Sequence, residues 1–72
     1  MANWRDRVTS EISIHHGEPV IRGTRLAVSA VVAGLAEMSV EELLLEYPQI
    51  CREDVQAALY FAAEMSHNSL AA

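Results

Sequence analysis

Seventy-two residues suffice for one domain with a small core. The chain is 51% hydrophobic but only 6% aromatic, carries a net charge of −5, and contains a single cysteine, Cys51. These values exclude an internal disulfide and a cysteine-built zinc site. No apolar run approaches a membrane span or a signal peptide, so a cytoplasmic protein without membrane contact is expected.

The charge is unevenly placed. Residues 1–25 hold four arginines against three acids, a net of +1, whereas residues 26–72 hold Arg52 against seven acids, a net of −6. Any nucleic-acid contact would therefore come from the N-terminal third, because the acidic remainder repels phosphate. So much aliphatic surface on a small body is hard to bury within one copy, which points to a homodimer.

In chain order, Val8–Ile14 alternates loosely in β-prone residues, Gly17 and Pro19 mark a turn, and Val20-Ile21-Arg22 follows. This predicts a short hairpin or two edge strands, which are marginal alone and must pair with the helices or with another copy. His15 and His16 are adjacent, so in a strand they face opposite sides and cannot share a metal ion, and His67 lies far away. They are read as turn or surface histidines.

From Val28 onward three stripes repeat at helical spacing: Val28, Val31, Val32, Leu35; then Val40, Leu43, Leu44, Tyr47; then Val55, Ala58, Leu59, Ala62. Ser39 and Glu42 fit a capping box at the second helix, and Pro48 stops it. Cys51 occupies the cap of the third helix, a weak start for which Cys51→Ser or Thr should be stabilising. Connections of about two to four residues are expected, and the pattern dissolves past Met65 as a frayed end. The expected architecture is a single domain, mainly α. Strands and a Gly-Thr-Arg loop fill residues 4–27, and a three-helix bundle follows over 28–66.

Within that frame Arg22-Gly23-Thr24-Arg25 is the strongest functional segment. Gly23 permits a tight backbone, Thr24 offers a hydroxyl, and two guanidiniums can fork onto phosphate oxygens. The structural alternative is that Arg25 pairs with an acid of the second or third helix. On the third helix the outward face is read as Glu53, Gln56, Ala57, Tyr60 and Glu64. Gln56 and Tyr60 are natural base or phosphate readers, but the glutamates oppose a major-groove approach. Leu45 and Phe61 fall beside the inward stripes and, with Trp4, are candidate dimer contacts. Cys51 has no histidine at a readable spacing and no Gly-x-Ser-x-Gly occurs, so no catalytic residue and no cofactor is expected and the chain is read as a non-enzyme.

Several segments together resemble the domain-of-unknown-function 433 family: Trp4-Arg5-Asp6-Arg7-Val8, His16 through Leu26, Met38 through Leu44, Tyr47-Pro48, and Asp54 through Glu64. The motif positions carried over are Pro19, Ile21, Gly23, Thr24, Arg25, Tyr47, Pro48 and Asp54. The chain departs from the family pattern at Glu18, usually basic, at Glu37, often glycine, and at Cys51, usually threonine or serine. The resemblance implies a homeodomain-like helix-turn-helix preceded by short strands, similar to VapB-type antitoxins that partner a PIN-like ribonuclease toxin and repress their own operon as dimers. The function expected from it is therefore that of an antitoxin binding a PIN-like nuclease and operator DNA. The alternative is a helix-turn-helix scaffold for protein association without nucleic-acid binding.

Overall fold

The structure, a computed structural model, describes residues 3–9 and 18–71, with side chains through residue 67. A 3-10 helix over Trp4–Arg7 leads into strand β1 (Val8–Thr9). Strand β2 (Val20–Ile21) and three α-helices follow: α1 (Val28–Gly34), α2 (Val40–Glu46) and α3 (Arg52–Ala71). The fold is mainly α with an N-terminal strand pair, as expected. Residues 10–17, which include His15, His16 and the expected continuation of the first strand to Ile14, lie outside the described residues.

β1 and β2 run antiparallel, with Val8 opposite Ile21 and Thr9 opposite Val20. β2 is not an edge strand. On its other side Val20 bridges Ala27, and the Ile21 amide donates to the Leu26 carbonyl at 2.9 Å. Flanked on both sides and packed on the helices, Val20 and Ile21 are each only 1% exposed. Burial of two consecutive residues replaces the in–out alternation of a half-exposed strand.

The core joins Ile21, Val28, Val31, Leu43, Ile50, Val55 and Ala58, with residues from all three helices and from β2. α3 packs most extensively on α1 and on the 3-10 helix, and less on α2. α1 and α2 meet closely at Gly34, where a Cβ would stand 2.7 Å from Leu43 Cδ1. That glycine lets the fully buried Leu43 seat against the end of α1. Each connection between helices, residues 35–39 and 47–51, is five residues long, longer than expected.

Each helix start solves its orphan amides differently. Ser39 forms the expected capping box: its Oγ accepts from the Glu42 amide at 3.1 Å, and its own amide donates to Glu42 Oε1 at 2.9 Å. α1 has no side-chain cap on Ala27; instead the Val28 amide donates to the Pro19 carbonyl at 3.0 Å, a tertiary substitute. At α3 the Cys51 amide donates to Asp54 Oδ2 at 3.0 Å, so one half of a capping box is present despite the cysteine.

Two expectations for α3 need correction. Ala57, assigned to the outward face, is fully buried, and Leu59, assigned to the inward stripe, is 44% exposed. The 3-10 helix packs on a flank of α3 that the periodicity leaves to solvent, and this rotates the buried face toward Ala57 and Phe61. Past Met65, where the apolar pattern dissolves, the helix runs on to Ala71. No glycine or proline follows to stop it.

Candidate functional site

The turn that joins β2 to α1 is built around Gly23, whose φ of 82° lies in the left-handed region that a side chain disfavours. The Thr24 amide donates to the Ile21 carbonyl at 3.0 Å, closing a four-residue turn. The Thr24 hydroxyl donates to the same carbonyl at 2.7 Å and accepts from the Leu26 amide at 3.0 Å. Its single donor is thereby spent. What remains is a lone pair, the wrong partner for a phosphate oxygen. Thr24 holds the turn, and it does not supply the anion donor considered for it.

The two arginines of the turn differ. The Arg22 amide donates to the Arg7 carbonyl at 2.8 Å, and its Nε donates to the Asp6 carbonyl, tying the turn to the 3-10 helix. Arg25 is exposed and makes no hydrogen bond or ion pair among the described residues. The structural role considered for Arg25 falls instead to Arg7, whose Nη1 lies 3.0 Å from Asp54 Oδ1. That hydrogen bond holds the Arg7 guanidinium above its ordinary pKa. Arg5 reaches Glu64 Oε2 at 2.7 Å and Arg52 reaches Glu41 Oε2 at 3.1 Å. Three of the five arginines are therefore neutralised by acids of α2 and α3. Arg22 and Arg25 have no acid partner among the described residues.

Gln56 and Tyr60 sit elsewhere, on the exposed side of α3 against the 3-10 helix. With Asn3, Trp4, Arg7 and Glu53 they line an open cleft of about 480 Å³. The Trp4 and Tyr60 rings stack at 6.2 Å between centroids with planes 21° apart, and Phe61 meets Trp4 edge-on at 6.4 Å. The Arg5 guanidinium covers the Trp4 ring at 4.5 Å. Glu53 is held below the usual glutamate range, chiefly by its own backbone amide and then by the Cys51 side chain. Both sets of candidates thus attach to one short element, the turn through Asp6 and Arg7, the α3 face through Trp4.

Sequence reasoning missed that element. Its signal was small: Asn3, whose side chain accepts from the Arg5 amide at 3.0 Å as an N-cap, with Asp6 in the first turn. Of the candidate dimer contacts, Trp4 and Phe61 are half-buried against each other within the chain, whereas Leu45 is 83% exposed. Pro19, Ile21, Gly23, Thr24 and Asp54 all serve the turn, the core or a helix start. Arg25 is the charged motif residue with no such bond among the described residues. Among the described residues no three potential ligands gather as a metal site, and His67 is exposed on α3. Among them, too, no helix is long and apolar enough to cross a membrane.

Comparison with known proteins places this arrangement in a family. The uncharacterised protein y4eO of Sinorhizobium fredii is 40% identical over 63 residues, which are 86% of this chain and 28% of that protein, so the chain spans little more than a quarter of its relative's length. No solved structure matches it. Residues 8–62, from β1 through most of the packed part of α3, match DUF433, a family described as protein of unknown function, and the chain belongs to that family.

Proposed function

We propose that this chain is the antitoxin-like component of a toxin–antitoxin pair. Its protein partner is a PIN-like ribonuclease, and operator DNA is a second ligand of its dimer. The observation that carries the reading is the sorting of charge: acids of α2 and α3 neutralise Arg5, Arg7 and Arg52, while Arg22 and Arg25, on one turn, have no acid partner among the described residues. An acid-rich helical surface suits a basic, RNA-binding nuclease, and two guanidiniums without an acid partner among the described residues suit a phosphate. Exposed Leu45, Leu59 and Met65 supply apolar area for association.

Co-expression with a PIN-like nuclease, followed by affinity capture, tests the protein half; a nuclease that does not co-purify removes the antitoxin reading. A solution mass measurement tests the dimer. For the DNA half, affinity for duplex promoter DNA should fall steeply with salt, and Arg25→Ala should shallow that slope by about one ion. The competing reading, a protein-association scaffold without nucleic acid, is favoured by the spent Thr24 hydroxyl and by Glu53 beside Gln56. Absence of DNA binding at low salt decides for it.

A further inference from the structure

We infer that the cleft between the 3-10 helix and α3 is the receptor for a basic side chain, an arginine or lysine, presented by the protein partner. This rests on the protein-partner half of the proposed function. Three observations converge on the cleft. Tyr60 is 59% exposed although one neighbour, Trp4, already stacks with it, so ring surface remains open to a ligand. The same aromatic pair already accepts a guanidinium, that of Arg5 over Trp4 at 4.5 Å. Glu53, Gln56 and Tyr60 follow one another at i, i+3 and i+7 and so share one helix face.

The local charge selects the ligand. Arg7 lines the cleft but is offset by Asp54 at 3.0 Å. Glu53 is exposed and ionised, and it has no ion-pair partner among the described residues. The cleft therefore presents an aromatic face, an amide that can accept, and one uncompensated carboxylate. That set attracts a guanidinium or ammonium and repels a phosphate. About 480 Å³ accommodates such a head group together with its aliphatic stem. Gln56 and Tyr60 are thereby assigned to a protein ligand, leaving Arg22 and Arg25 as the phosphate contacts.

The test titrates the ¹⁵N-labelled full chain with a tetra-arginine peptide. Saturable shifts are expected at the Gln56 side-chain amide and the Tyr60 backbone amide, with tetra-glutamate giving none. Glu53→Gln and Tyr60→Ala should each weaken the interaction by about tenfold, while Glu46→Gln, an exposed acid of α2, leaves it unchanged. Equal weakening by Glu46→Gln, or shifts spread over α2, would reduce the effect to general attraction and overturn the assignment. The two readings fail separately. If the nuclease co-purifies and binds the Glu53→Gln and Tyr60→Ala chains as tightly, the receptor is wrong and the antitoxin reading stands. If the peptide seats in the cleft but no nuclease co-purifies, the antitoxin reading falls and the receptor stands.

Discussion

In the helical body, Val31, Leu43, Val55 and Ala58 pack with no more than 2% exposure, and the caps of α2 and α3 are made between residues three apart. In the N-terminal strap, the 3-10 helix over Trp4–Arg7, the side-chain bonds to α3 are polar and long in sequence: Arg5 reaches Glu64 across 59 positions and Arg7 reaches Asp54 across 47. The body is held by removing apolar surface from water, an effect that tolerates salt and pH. The strap is held by exposed or part-buried ion pairs and one aromatic stack, contacts that solvent screens. Both candidate ligand sites hang on the strap, so the functional surfaces depend on the weaker of the two regions.

Breaking the body should have the largest effect. Leu43→Ala removes the side chain that seats against Gly34 and should cost about 3 kcal/mol, read as a loss of the folded baseline or a steep drop in urea midpoint. A variant within 1 kcal/mol of the parent would place the core elsewhere. Thr24→Val, nearly isosteric, strands the Leu26 amide and removes a bond to the Ile21 carbonyl, for an expected loss of about 2 kcal/mol; a neutral result would return the hydroxyl to the list of free ligand donors.

Smaller changes sharpen the contrast. At the start of α3 the Asp54 carboxylate already serves the Cys51 amide, and the Asp54 amide turns to the Cys51 carbonyl at 3.0 Å; Cys51→Ser would offer that amide a side-chain oxygen and complete the capping box. A gain of about 0.5–1 kcal/mol is expected in thermal melts. Acid titration gives the smallest effect. Glu41 and Glu53 lie below their ordinary value of 4.5, each chiefly through its own backbone amide. A depressed folded pKa stabilises above the unfolded value and is lost as pH falls through the folded one. Melting temperature should therefore hold near neutrality and decline below about pH 4.5, and Glu41→Gln should flatten the decline.

How legible each region was follows from the same physics. Apolar periodicity announces α1, α2 and the start of α3, because a buried stripe must repeat every three or four residues. The Ser39–Glu42 box is equally local and was readable. The strap was not, since nothing near Arg7 in sequence indicates that Asp54 is its partner; that pairing exists only once the chain has folded. The same blind spot misplaced Ala57 and Leu59, whose faces are decided by the strap and not by the helix. At the turn, Gly23 and Thr24 were recognised as special, but the choice between ligand and scaffold depended on hydrogen bonds that spacing alone cannot assign. Arg25 remained a candidate because the described residues give its guanidinium no structural bond.

The sole tryptophan of the chain, Trp4, is rooted in the strap and rests on Tyr60 and Phe61. Its emission therefore reports detachment of the N-terminal segment, while far-ultraviolet ellipticity follows the helices. Two such traces, recorded on one sample as it is heated, reveal whether strap and body let go together or in succession.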